Sequence, residues 1–231
     1  MCAGDGFQIA AFACKTILTV KFMAVRTLTK GEQTRERLLQ VAQDAVLRKG
    51  FAATSIEEVI AGAGVTKSGF AYHFRDKHEL AKALLQRYID HDTAILDELF
   101  AKADELVDDP LHNYLAFLKL FAGVMADLPE RHPGCLVASY CYQDQLHSRE
   151  IRAMSTEGML IWRKRFRERL DRIAARYPPR APVDLDALAD MAITLVECGI
   201  ILDKGKREHG NLARQILMMR DLVRVLFEPS P

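Results

Sequence analysis

Cysteine is scarce and poorly placed for a scaffold. Cys2, Cys14, Cys135, Cys141 and Cys198 are scattered over 231 residues. Their odd number and wide spacing exclude a disulfide framework, and no CxxC pair suggests zinc. A reducing cytoplasm is the simplest home for such a chain. No apolar run is long enough to span a membrane. Runs in which β-branched and polar residues alternate are missing, as are hairpin turn signals, so a sheet is not expected. There is no internal repeat and no low-complexity tract. The sequence also lacks a glycine-rich phosphate loop, a metal-ligand cluster and a convincing nucleophile motif. An enzyme built on the C-terminal half therefore has no visible chemistry, cofactor or metal. Net charge is nearly absent too. With 32 Lys and Arg against 31 Asp and Glu it is +1, so the whole-chain charge names no polyanionic partner.

What is present is apolar material for a core, at 49% hydrophobic residues, enough for one large domain or two modest ones. The charge is unevenly distributed. Residues 24–90 hold 11 Lys and Arg against 8 Asp and Glu, whereas residues 91–231 hold 19 against 22. A basic front joined to an acidic back implies that the two parts meet different partners. Residues 1–22 look unlike the rest: they are apolar, with Asp5 the only early charge and Lys15 and Lys21 interrupting. That is not a signal peptide pattern. Met23, followed by a short basic arm and then a helix, reads as a natural start. Residues 1–23 are accordingly expected to be a start-site artefact or a disordered extension.

The remainder reads as helix almost throughout. Thr29 with Glu32 forms a capping box, and the helix it opens carries Leu38, Ala42, Ala45 and Val46 and stops at Gly50. Thr54 with Glu57 is a second box, opening a helix through Ile56, Val59 and Ile60 that ends at AGAG, Ala61 to Gly64. A very short helix spans roughly Lys67 to Phe74. Asp76 with Glu79 caps a long fourth helix running past Leu96. Asp108-Asp109-Pro110 breaks the chain before a helix through Tyr114, Phe117, Leu118, Phe121 and Met125. Pro129 and Pro133-Gly134 break it again. Helices are then expected over Cys135 to His147, Ile151 to Tyr177, Leu185 to Lys206 and Leu212 to Phe227, with a proline linker at Pro178, Pro179 and Pro182.

Two helices joined by a tight glycine turn, the second short and polar, form a helix-turn-helix pattern. Such a helix lies in a DNA major groove with its N-terminal turn toward the base edges. Phe70 and Phe74, at i and i+4, would anchor it and leave its other side free. Ser68 and Gly69 permit close backbone approach. Thr54 can cap its helix and offer a hydroxyl to phosphate, and Lys77 can reach phosphate as a point charge. The same stretch holds a Tyr, a His and a carboxylate close together, but neighbouring positions on a short helix diverge too far to form a catalytic triad. Taken singly, Lys67, Arg75 and Lys77 also fit ordinary solvated charges. Tyr72 also fits packing, and His73 the satisfaction of a nearby carbonyl.

Residues 34–80, TRERLLQVAQDAVLRKGFAATSIEEVIAGAGVTKSGFAYHFRDKHEL, resemble the DNA-binding domain of tetracycline-repressor-type (TetR) transcriptional regulators. The resemblance implies an all-α homodimer with a helix-turn-helix domain, here 24–80, and a larger domain, here 81–231, that binds an effector and dimerises. It places Thr54, Thr66, Lys67, Ser68, Tyr72 and His73, with Lys77, at positions that commonly touch DNA. One departure stands out. Where the family usually carries a phosphate-contacting aromatic, this chain has Ala71, so a contact is lost unless Tyr72 covers for it.

Beyond about Leu85 the resemblance is one of architecture only. Leu188, Leu195, Gly199 and Leu202, with Leu212, Ile216, Met219 and Val223, are apolar at helical spacing. They would form a four-helix dimer interface over about 185–227, or pack internally. An effector pocket would draw on Phe117, Phe121, Met125, Tyr140, Tyr142, Met159, Trp162 and Phe166. These residues would serve equally as plain core, and as a pocket they suit a bulky apolar or aromatic ligand. Cys135 and Cys141 allow a second reading, a redox- or electrophile-sensing repressor, which needs an exposed thiol of lowered pKa. Trp162 to Arg176 is rich in arginine and reads as a solvated face, with a second nucleic-acid surface as its rival. The expected protein is thus a homodimeric, ligand-responsive repressor on a pseudo-palindromic double-stranded DNA operator, cytoplasmic, without cofactor or metal. An architectural DNA-binding protein without effector control is the rival outside this class.

Overall fold

The computed structural model describes residues 28–128, 134–208 and 210–229. Among them are nine α-helices, one 3-10 turn and no strand. The expectations about residues 1–23, Pro129 and Pro133 lie outside the described residues.

The first helix, α1 (Lys30–Lys49), opens on the capping box predicted from sequence. Thr29 Oγ1 accepts the Glu32 N–H at 3.2 Å, and the Glu32 carboxylate accepts the Thr29 N–H at 2.8 Å. Its inner face buries Leu38, Leu39, Ala42, Ala45 and Val46. The next two helices, α2 (Ile56–Ala63) and α3 (Lys67–His73), are separated by Gly64 at φ 62°, a left-handed turn that glycine adopts without steric penalty. Helix α4 (Lys77–Leu106) is capped as expected by Asp76, whose Oδ1 accepts the Glu79 N–H at 2.8 Å.

The box at Thr54 and Glu57 does not form. Ser55 is the cap of α2, its Oγ accepting the Glu58 N–H at 3.1 Å. The one-residue slip turns Thr54 inward, where its hydroxyl donates to the Gly50 carbonyl at 2.9 Å and closes the turn out of α1.

Asp109 and Pro110 start α5 (Pro110–Ala126), with proline at the position where a missing N–H costs nothing. The helix expected over Cys135 to His147 is shorter. It runs only through α6 (Leu136–Tyr142), then a 3-10 turn follows at Asp144–Leu146. The stretch from Gln143 on has no apolar repeat to hold a helix against the core, and Gln143 is engaged elsewhere. Three long helices complete the chain: α7 (Arg149–Arg176), α8 (Leu185–Lys206) and α9 (Asn211–Phe227). The proline stretch lies between α7 and α8, as expected.

Two apolar cores share α4. The first joins α1, α2 and α3 to Leu80–Ile89 and to Leu136, Tyr140 and Ile151. The second joins Leu96–Ala103 to α5, α7, α8 and α9. Residue 80 is therefore not a break in packing: the first core continues to Ile89 and takes α6 as a wall.

The apolar stripe expected at a dimer interface is mostly internal. Leu188, Leu212, Ile216, Met219 and Val223 are buried in the second core, Gly199 is buried beside them, and Leu202 alone of that set is exposed. Besides Leu202, the large apolar residues that α8 and α9 leave exposed are different: Ile201, Met218, Leu222 and Val225. Both helices carry apolar side chains on two faces, and α9 pairs with α5 through the face first assigned to the partner.

Gly199 holds α8 against α9. A Cβ there would lie 2.8 Å from Leu212 Cδ1 and 2.9 Å from Leu212 Cα, and the backbone atom can yield only if a helix moves. Gly199→Ala should cost about 1–3 kcal/mol through overpacking. Urea denaturation measures this, and an unchanged midpoint would show that the helices are not held at that spacing.

Candidate functional site

Two features stand out: an exposed polar helix at one end and a cavity between the two cores. Helix α3 is pinned by Phe70 and Phe74, both buried, with ring centroids 5.7 Å apart. Burial of each phenyl contributes about 1.5–3 kcal/mol, which fixes a helix too short to persist alone. Thr66 caps it, Oγ1 accepting the Gly69 N–H at 3.1 Å. The opposite side is left to solvent. Thr66, Lys67, Ser68 and Ala71 are exposed, Tyr72 is 83% exposed, and Gly69 and His73 are half-buried. Tyr72 stands edge-on to His73 with centroids 4.9 Å apart. Of the expected contact residues, Thr66, Lys67, Ser68, Gly69, Tyr72 and His73 lie on one continuous surface element.

Thr54 and Lys77 do not join it. Thr54 is buried at 3% exposure, so its hydroxyl is spent on Gly50 rather than offered outward. Lys77 turns inward. Its ammonium lies 4.4 Å from the centroid of the Phe51 ring and donates to the carbonyl of Phe51 at 2.8 Å. A second bond reaches the carbonyl of Ala52 at 3.4 Å. Burial and the nearby Lys49 lower its pKa. Lys77 is a brace between the start of α4 and the turn after α1.

The same turn is held from the other side. Gln143 Oε1 accepts the N–H of Phe51 at 3.1 Å and of Ala52 at 3.4 Å. The Tyr140 hydroxyl donates to the Ala81 carbonyl at 3.0 Å. The Tyr140 ring stacks on His147 at 4.3 Å, and His147 in turn packs on Phe51 at 4.7 Å. Burial, with His78 nearby, lowers the His147 pKa and keeps the ring neutral as a flat spacer. No sequence pattern announced Gln143, whose partners lie more than 90 residues away.

The cavity has a volume of about 470 Å³ and lies where α4, α5, α6, α7 and α8 meet. Phe121, Met125, Tyr142, Met159 and Trp162 line it, as the sequence suggested. Phe117 and Tyr140 do not, and neither does Phe166. Phe117 is stacked on Phe100 at 3.9 Å inside the second core, and Phe166 packs edge-on against Phe117 at 5.5 Å. Tyr140 points into the first core, on the far face of α6.

Apart from the two cysteines and Tyr142, the polar groups of the cavity were not anticipated. Tyr88, His91 and Asp92 come from α4, Cys135 from the cap of α6 and Glu197 from α8. Burial, with the like charge of Glu197, pushes the Asp92 carboxyl up to about 7. Glu197 is raised by burial too, against the opposing effect of the Cys135 thiol that hydrogen-bonds to it. One signal was available, since Glu197 stands alone in the apolar run TLVECGII.

Both cavity cysteines are biased away from thiolate. Burial and Glu197 push the Cys135 thiol far up, and burial, Glu197 and Asp144 raise Cys141. A sensing thiol requires the opposite bias. Four arginines of α7 are ion-paired: Arg163 with Asp190, Arg165 with Asp97, Arg167 with Asp171 and Asp186, and Arg169 with Asp104. These pairs weaken the field that a second nucleic-acid surface needs. Among the described residues no cluster of His, Cys, Asp and Glu is placed to hold a metal, and no helix is long and apolar enough to cross a membrane.

Comparison with known proteins agrees with this geometry. Residues 38–84 match the profile described as "Bacterial regulatory proteins, tetR family". The HTH-type transcriptional regulator TtgR of Pseudomonas putida is 34% identical over 91 residues, covering 38% of this chain and 41% of TtgR. The chain thus aligns with about two fifths of that relative's length. The transcriptional regulator AcuR of Cereibacter sphaeroides is 26% identical over 158 residues, covering 67% of this chain and 69% of AcuR. A TetR transcriptional regulator of Chloroflexus aurantiacus superposes with a TM-score of 0.69 at 25% identity, over 87% of this chain and 98% of that one. With the glycine turn, the aromatic anchors of α3 and the all-helical second core in place, the chain belongs to the tetR family of bacterial regulatory proteins.

Proposed function

We propose that the protein is a cytoplasmic, homodimeric repressor that binds a pseudo-palindromic DNA operator and leaves it when a small molecule fills the cavity. One observation carries the reading. An exposed polar helix, fixed by two buried phenylalanines, sits on the same packed core as a helix that walls an apolar cavity. The names of the relatives, all transcriptional regulators, support it, as does the basic character of residues 24–90. In this reading Lys67 supplies phosphate contact, and Ser68, Gly69, Tyr72 and His73 approach the groove. With alanine at position 71, Tyr72 is the one aromatic ring on the exposed side of α3, and it takes the backbone contact that the family places one residue earlier.

Two-fold symmetry requires a dimer, and the exposed apolar residues of α8 and α9 support one. Met218, Leu222 and Val225 are spaced as one stripe of α9, beside Ile201 and Leu202 of α8. Repression then lifts if the ligand favours a dimer whose reading helices are misplaced for the operator spacing. The cavity also separates this reading from an architectural protein, which has no need of one.

Three outcomes test it. Lys67→Ala should weaken operator binding and lower the slope of log affinity against log salt by about 1 in fluorescence anisotropy. His73→Ala should weaken binding without changing the dimer. Lys77→Met should behave differently, leaving the salt slope unchanged while lowering the melting temperature through loss of the Phe51 brace. A reduced slope in Lys77→Met, or full affinity in both Lys67→Ala and His73→Ala, would defeat the contact assignment. For the dimer, Met218→Asp combined with Val225→Asp should give a folded monomer in sedimentation velocity. A persistent dimer would exclude that face.

A further inference from the structure

We propose that the cavity takes a hydrophobic organic cation, its positive charge seated between Asp92 of α4 and Glu197 of α8 and its body against Trp162, Phe121, Met125 and Met159. The inference rests on the reading of the cavity as an effector site and names the chemistry of what enters.

Asp92 and Glu197 line the cavity, and no Lys or Arg lines it among the described residues. Neither carboxylate has a basic partner among them. Both are half-buried, and ionising the two side by side costs free energy that Asp92 avoids by holding its proton. The remaining polar groups do not relieve this. The Cys135 thiol hydrogen-bonds to Glu197 and interacts with Tyr88, and both are neutral at physiological pH. Partial desolvation and the nearby Arg87 lower the His91 pKa, against the opposing effect of Glu36, so its ring offers the pair little positive charge.

The ligand's charge decides how it meets this wall. An anion adds negative charge beside Glu197 and opposes ionisation of Asp92 further. A neutral molecule fills the space and leaves Asp92 holding its proton. A cation takes the place of that proton and gains an attraction to each carboxylate, which partial burial makes stronger than in water. The rest of the lining suits the body of such a molecule: an indole, a phenyl ring and two thioethers offer polarizable faces to an aromatic or alkyl cation. The volume of about 470 Å³ falls in the range of small-molecule sites.

A pH signature follows. Asp92 holds its proton up to about pH 7 in the empty protein. Its folded pKa lies above its unfolded value, so the carboxyl's cost to stability is absent in acid, grows as pH rises from about 4, and is complete above about 7. A cation favours the ionised form, so it displaces this proton and binds more tightly as pH rises through 7.

Tetraphenylphosphonium and tetraphenylborate, nearly identical in shape and opposite in charge, test the proposal on the full-length protein. Trp162 is the single tryptophan of the chain and lies on the cavity wall, so its fluorescence reports entry. The phosphonium should quench it saturably and bind at least about tenfold more tightly than the borate. Its affinity should rise between pH 6 and pH 8 with net proton release. Asp92→Asn and Glu197→Gln should each weaken the cation about tenfold while raising or preserving the melting temperature near neutral pH. If either variant fails to fold, the pH dependence of the wild-type protein still decides. Saturable binding of the borate with none of the phosphonium would overturn the cation and leave the effector site standing. Failure of both probes to reach Trp162 would overturn the proposal together with the effector reading.

Discussion

The contact between α6 and the first core is the one on which the arrangement depends. Helix α6 is only seven residues long, too short to be stable by its own hydrogen bonds. It exists because both faces are occupied. Leu136 and Tyr140 are buried in the first core, with the Tyr140 hydroxyl on the Ala81 carbonyl, while Ala138, Cys141 and Tyr142 border the cavity. A change in the cavity therefore meets a helix that cannot shift on one side without disturbing the other. Helix α4 adds a second route, since its first turns belong to the reading unit and its middle supplies Tyr88, His91 and Asp92 to the cavity wall.

Much of the reading unit was legible in the sequence because it is governed by local rules. The caps at Thr29 and Asp76, the glycine turn at Gly64 and the i, i+4 pair Phe70 and Phe74 depend on residues within a turn of each other. The failures came where two local solutions compete or where the partner is distant. The stretch TSIEE offers two adjacent cap residues, Thr54 and Ser55, and only packing selects the second. Lys77 reads as a surface cation until Phe51 is placed beneath it. Periodicity found apolar stripes on α8 and α9 but could not say which of two apolar faces turns inward, since that depends on α5.

The effector half shows the same division. Aromatic and methionine residues were recognisable as core or pocket, and five of the eight proposed residues do border the cavity. Phe117, Phe166 and Tyr140 are separated from them by one turn or one helix face, a distinction set by tertiary packing alone. The half-buried carboxylates of the cavity wall are the residues that sequence reasoning undervalued. A solitary Glu in an apolar run breaks the pattern of its helix, and such a breach marks a site more sharply than another apolar residue would.

The Phe51-Ala52 segment is gripped by its backbone as well as by the Phe51 ring. Gln143 takes its two N–H groups, and Lys77 takes its two carbonyls. Every non-proline residue carries those same four atoms, so the joint is blind to the side chain at position 52. Sequence can drift there without loosening it, whereas positions 77 and 143 have no such freedom. Two related proteins could therefore share this joint and differ at position 52. The trace of it would be a paired requirement for a cation and an amide in two helical regions some sixty residues apart.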